Sequence, residues 1–222
     1  MLNKQSKMLR LTALSLAVAG AMAIAPTAAN AEVSASVGVA NMYLWRGVDL
    51  GNGSAAVSGD LSYSSSGFYT GIWASSGDSA AGQEYDLYAG YGAEFGGVSV
   101  DLCVWTYTYP QDSGNNDPGE LSDAVLSVGF AGLSAAVYDN IAGSSGDAYY
   151  TLSYGYEAFS ILVGKNDLRG NNDDDSDNDM THVDLSYAYN DNLSFTLSQQ
   201  VDQEQDNGKP KWVVSYSLPL GE

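Results

Sequence analysis

The sequence predicts an all-β fold: a transmembrane, antiparallel, up-and-down β-barrel of about twelve strands, with ten or fourteen as the alternatives. Three observations predict it. An export segment opens the chain, and no helical periodicity follows it. Apolar and small polar residues then alternate with a period of two, and the connections between these segments are long and short by turns.

The N-terminus comes first. Lys4, Lys7 and Arg10 form a basic region ahead of an apolar run from Leu11 to Ala25, which Pro26 breaks. Ala29-Asn30-Ala31 is a small-x-small cleavage site, so residues 1–31 read as a signal peptide cut between Ala31 and Glu32. The run is shorter than the roughly 20 apolar residues that a spanning helix needs. Residues 32–222 then form one barrel domain.

Cleavage removes three basic residues and no acidic one, which takes the formal charge from −19 to −22. Such a chain repels nucleic acid and anionic lipid surfaces and favours cations. Cys103 is the only cysteine, which excludes an internal disulfide and a thiolate metal cluster. His182 is the only histidine, which excludes multi-histidine metal sites. Abundant Tyr (16) and Gly (25) with scarce Pro (5) suit a twisted sheet meeting a membrane interface.

Along the chain, Val33, Ala35, Val37 and Val39 alternate with Ser34, Ser36, Gly38 and Ala40. Val57, Leu61 and Tyr63 alternate with Ser58, Asp60 and Ser62. Tyr85, Leu87, Ala89 and Tyr91 alternate with Glu84, Asp86, Tyr88 and Gly90. Val183, Leu185 and Tyr187 alternate with His182, Asp184 and Ser186, and Trp212, Val214, Tyr216 and Leu218 close the series. Leu193, Phe195 and Leu197 repeat the pattern as well, and weaker segments at 68–75, 98–109, 121–130, 133–139, 148–156 and 159–165 complete the count.

Short turns are expected at 64–67, 96–97, 131–132, 157–158 and 190–192, and long loops at 47–53, 76–83, 110–120, 140–147, 166–179 and 202–210. Tight turns inside and longer loops outside put both termini in the periplasm of a Gram-negative bacterium, with the barrel in its outer membrane. Two aromatic girdles are then expected. Tyr43, Trp45, Trp73, Tyr107, Tyr109 and Trp212 fall beside the long loops; Tyr63, Phe68, Tyr91, Phe130, Tyr156, Phe159 and Tyr189 flank the short turns.

Several runs carry a family resemblance. They are Tyr43-Leu44-Trp45-Arg46-Gly47, the stretch from Ser66 to Ser75, Glu84-Tyr85-Asp86-Leu87-Tyr88-Ala89-Gly90-Tyr91, and Tyr107-Thr108-Tyr109-Pro110 with Glu120-Leu121. Together they resemble the TorF-like porin family of proteobacteria, densely from Glu32 to about Leu121. The resemblance implies an outer-membrane barrel that passes small solutes, with no established substrate. Cys103 stands where that pattern has glycine, and Leu220-Gly221-Glu222 lacks a terminal aromatic.

Arg46, Asp60, Glu84, Asp86, Asp101, Asp123, His182 and Asp184 are in phase with the small polar residues and are expected to face the lumen. A lipid-facing charge would cost roughly 2–4 kcal/mol at the bilayer midplane. Two readings of them stand open. In one they line a cation-attracting channel with Arg46 at its constriction; in the other Arg46 pairs with carboxylates and plugs a closed barrel.

Asp173, Asp175 and Asp177 are spaced like part of a calcium loop, but Asn178 occupies the glycine position and no helices flank it. Loose surface binding of Ca²⁺ or Mg²⁺ is the functional reading, a solvated acidic loop the default, and no other cofactor is expected. A lone histidine without a Gly-x-Ser-x-Gly elbow predicts no enzyme. The expected function is diffusion of small cationic or neutral solutes through a narrow acidic lumen. The alternative is a closed structural or surface-binding barrel whose acidic loops hold divalent cations or a partner. Outer-membrane lipid, the barrel-assembly machinery and small solutes are the expected partners, with no nucleic acid; the solute and the oligomeric state stay open.

Overall fold

Val37 of the first strand pairs on one side with Gly59 and on the other with Leu218, and this double pairing closes the sheet on itself. The structure is a computed structural model, described for residues 31–112, 114–144, 146–168, 179–202 and 208–220. β1 (Glu32–Ala40) is followed by two short strands, β2 (Leu44–Trp45) and β3 (Val48–Asp49). Then come β4 (Ala56–Ser65), β5 (Phe68–Asp78), β6 (Gly82–Phe95), β7 (Val98–Thr108), β8 (Leu121–Phe130) and β9 (Leu133–Ala142). β10 (Ala148–Tyr156), β11 (Phe159–Asp167), β12 (Met180–Ala188), β13 (Leu193–Asp202) and β14 (Lys211–Leu220) complete the chain.

Twelve of these strands, all but β2 and β3, form one closed antiparallel barrel in which each strand pairs with its neighbours in sequence. Closure gives every one of the twelve barrel strands a partner on both sides. Most barrel strands have 9 to 11 residues, enough at the usual tilt to cross a hydrocarbon layer.

The tight turns follow from their residues. Ser66-Gly67, Gly96-Gly97 and Ala131-Gly132 each hold positive φ at both positions, the type I′ geometry whose twist matches paired antiparallel strands. At the other end, the expected loop at 76–83 shrinks to residues 79–81. β5 and β6 continue to Asp78↔Gly82 across a register shift, because the ladder beyond Ser75 still has partners to satisfy.

The period of two sorts the side chains. Leu61, Leu102, Leu126, Leu152, Leu185 and Val214 point outward and stay exposed, while the residues between them face inward. Outward charges such as Asp139 and Lys165 occur close to the long-loop ends.

The interior has two unlike walls. On β5 to β10, Tyr69, Tyr88, Cys103, Trp105, Tyr107, Val125, Tyr138 and Tyr149 form a buried cluster. Tyr88 stacks on Trp105 with ring centres 4.4 Å apart. Two glycines make room for it: a Cβ at Gly71 would lie 2.3 Å from the Tyr88 hydroxyl, and one at Gly90 would lie 2.3 Å from that of Tyr69. Cys103 thus packs inward among rings. The opposite wall, on β10 to β14, presents small hydroxyls, among them Ser153, Ser186, Thr196, Ser198 and Ser215.

Five of the aromatic residues expected in the long-loop girdle face inward instead. Tyr43 and Trp45 belong to a segment that folds into the barrel, and Trp73, Tyr107 and Tyr109 join or pack against the interior cluster. Nearness to a loop does not choose a face; phase along the strand does. Trp212 alone of that group points outward, at 66% exposure. The short-turn girdle is on the exterior in full: Tyr63, Phe68, Tyr91, Phe130, Tyr156, Phe159 and Tyr189 are all exposed.

Candidate functional site

The segment between β1 and β4 does not stand out as a surface loop. Asn41 turns it at the barrel mouth by donating from Nδ2 to the Trp212 carbonyl (3.0 Å) and accepting from the Val214 amide (2.6 Å). β2 and β3 then pair as a small hairpin, Leu44↔Asp49 and Trp45↔Val48. Its two-residue tip is Arg46-Gly47, with φ of 47° and 82°, the same I′ geometry as the tight turns at the far end. Asp49 holds its base by accepting from the Gly51 and Gly53 amides, at 3.0 and 2.7 Å.

The tip crosses the lumen and is tied to the wall strand by strand. Arg46 donates to Asp123 Oδ2 on β8 at 2.5 Å. Its guanidinium also lies over three rings, Trp45 in the hairpin, Tyr138 on β9 and Tyr149 on β10, at 4.3, 4.9 and 4.8 Å from their centres. Asn166 on β11 donates to the Arg46 carbonyl, and Gln200 on β13 donates to the Gly47 carbonyl at 2.9 Å. On β12 the His182 ring occupies the space a Gly47 side chain would need. The tip therefore touches every strand from β8 to β13.

Each carboxylate expected in the lumen faces it, and all but Asp86 have a hydrogen-bond or ion-pair partner of their own among the described residues. Asp123 also accepts from Tyr107 and Asn140. Glu84 accepts from the hydroxyls of Tyr43 and Tyr109. Burial and the Glu84 charge push both phenols above their ordinary range, so they stay protonated and donating. Asp86 shares that face with Glu84, and its Oδ1 has no partner among the described residues. Closer to the short-turn end, Asp60 accepts from Tyr88 at 2.8 Å and Asp101 from Tyr69 at 2.9 Å. Asp184 is 3.0 Å from His182 Nδ1, whose Nε2 lies 2.9 Å from the Tyr149 hydroxyl. The structure gathers Arg46 and Asp123 in direct contact, Glu84 and Asp86 beside the hairpin base, and Asp184 behind the tip. Asp60 and Asp101 stand apart from them, lower on the aromatic wall.

Two features were missed in the sequence. Arg46 is not the only lumen cation, because Lys211 on β14 also points inward with its Nζ buried. The signal was present: Trp212 and Val214 face outward, so Lys211 shares the phase of Val213 and Ser215. The second is the hairpin itself, whose turn signal, Arg46-Gly47, carries no Asn or Asp. Asp173, Asp175 and Asp177 lie outside the described residues.

A family model described as a bacterial protein of unknown function (Gcw_chp) matches residues 24–213. No curated protein matches the chain. Among solved structures, the chain is similar to a KdgM porin at 11% identity, over 86% of this chain and 99% of that one, with a TM-score of 0.48. It is also similar to outer membrane phospholipase A from Escherichia coli at 10% identity, over 96% and 99%, with a TM-score of 0.45. Both likenesses are distant.

Proposed function

The chain belongs to the Gcw_chp family of bacterial proteins of unknown function, and from that premise we propose that it is a porin-like outer-membrane barrel with a lumen narrowed by its own hairpin. The observation that carries this reading is the inverted polarity of the barrel. Leucines, valines and aromatic rings cover the outside and remain exposed, a surface that water would not tolerate over such an area. Hydroxyls and carboxylates line the inside. That pattern fits strands bathed in lipid on one face and water on the other. β1 begins at Glu32, directly after the proposed cleavage point.

The solutes are small and cationic or neutral. A ring of twelve strands is far narrower than the 16–18-stranded porins, and the hairpin narrows it again. Asp60, Asp101 and Asp184 supply negative potential along the path. The refolded barrel in planar bilayers should conduct with a reversal potential of cation-selective sign. Anion preference would overturn the reading.

The hairpin favours a second reading, in which the barrel is closed. Its tip is held by hydrogen bonds and by Arg46 on three rings, which suits a plug as well as a constriction. Replacing residues 44–49 with a short glycine-serine link separates the two. A conducting native barrel supports the constricted pore. A silent native barrel whose hairpin-less form conducts supports the plug.

A further inference from the structure

Four inward polar atoms on β13 and β14 have no partner among the described residues, and besides Ser215 Oγ they are three groups on the hairpin's side: Ser198 Oγ, Gln200 Oε1 and Lys211 Nζ. Ser198 is 0% exposed and Gln200 8%. Buried polar atoms without partners cost stability, so native proteins keep them sparingly. These three are neighbours. Ser198 pairs with Lys211 across the β13–β14 ladder and with Asp184 across the β12–β13 ladder. Asp184, Ser198 and Lys211 thus form a row over three adjacent strands, with Gln200 next above Ser198 on the same face. Gln200 already spends its amide donor on the Gly47 carbonyl, which leaves its oxygen free.

The row has a charge order. Lys211 offers an ammonium, Ser198 a hydroxyl, Gln200 a bare acceptor and Asp184 a carboxylate. Burial disfavours the Lys211 ammonium, and the carboxylates of Asp49 on the hairpin and Asp184 on β12 favour it. A simple anion would meet these acids as well as the lysine, and a simple cation would meet the lysine. A molecule with both charges answers every group. We infer that this wall is a binding subsite for small zwitterionic solutes, the carboxylate seated on Lys211 and Ser198 and the ammonium on Gln200 Oε1 and Asp184. The inference rests on reading the lumen as a solute path and names what that path selects.

Saturation-transfer NMR on the refolded barrel tests it with three probes of one carbon skeleton: 4-aminobutyrate, butyrate and butylammonium. The zwitterion should bind at least about tenfold more tightly than either single-charge probe, the scale of one charge-assisted hydrogen bond. Lys211→Met should remove that advantage. Ser198→Ala, which deletes an unpartnered hydroxyl and leaves the fold intact, should weaken the zwitterion by about threefold or more. Equal affinity for all three probes, an advantage that survives Lys211→Met, or no saturation transfer to any probe, as for a wall that holds ordered water only, overturns the subsite. Bilayer conductance of the same protein keeps the two readings apart. Conductance without binding removes the subsite and leaves the pore; binding without conductance removes the pore and leaves the subsite.

Discussion

Arg46 and Asp123, 77 positions apart in the chain, meet at 2.5 Å across the mouth of the barrel. Both side chains are nearly excluded from solvent, so neither can be removed without leaving the other's charge uncompensated. Breaking such a pair from one side typically costs about 3–5 kcal/mol, more than the pair itself contributes. Arg46→Met and Asp123→Asn should each destabilise the refolded barrel in denaturant titration, and the double variant should lose less than the two together. Each single variant should also raise conductance, because the tip loses its strongest tether. Additive losses in the double variant would mean that the two residues act independently.

Gly47 and His182 are the second contact that holds the tip. A Cβ at Gly47 would approach His182 Cγ to 2.6 Å, and its φ of 82° is strained for any side chain. Gly47→Ala should therefore cost about 1–3 kcal/mol, part steric and part conformational. In a His182→Ala background the same substitution should cost less, but not nothing, since the backbone strain stays. Denaturant titration of the four proteins measures this, and a cost that vanishes with the ring would put the whole effect on sterics.

The barrel was legible because one physical rule writes it into every strand. A face that meets lipid must be apolar and the other need not be, so twelve alternating segments and their two kinds of connection appear directly in the residues. The same rule placed Asp101 inward, and with it the phase of Cys103, Trp105 and Tyr107; taking Tyr107 for a girdle residue ignored what Asp101 had already implied. Lys211 was legible on the same ground. The hairpin was not. A six-residue segment that folds into a lumen has no periodicity of its own, and its partners lie on strands far along the chain, Asp123 and Gln200 among them. Only the closed barrel brings those together.

Leu152 sits at the centre of β10 and faces outward at 53% exposure, between Ala135 and Val163 on the flanking strands. Leu152→Arg should lower the folding free energy in lipid vesicles by about 2–4 kcal/mol, the cost of a charge at the bilayer midplane. Ser153→Asn, one residue on and facing the lumen, should change it little. Denaturant titration of vesicle-refolded protein reads both, and equal effects would place β10 outside the hydrocarbon layer.

Asp60 and Asp101 each accept from one phenol, Tyr88 and Tyr69 respectively. Among the described residues neither forms an ion pair, unlike Asp123. Their charge is therefore left to act on whatever passes, whereas that of Asp123 is largely cancelled by Arg46. In an open lumen the double variant Asp60→Asn, Asp101→Asn should move the reversal potential toward zero with conductance retained, because asparagine still accepts from the phenols. Asp123→Asn should move it the same way, since it frees the Arg46 charge, whereas Arg46→Met combined with Asp123→Asn, which removes the whole pair, should leave it nearly unchanged. A loss of selectivity in Asp123→Asn that Arg46→Met restores can arise only if pairing with Arg46 decides which carboxylates the solute feels. An Arg46 and Asp123 double variant no more cation-selective than Asp123→Asn alone would show that the hairpin cation is not part of the path.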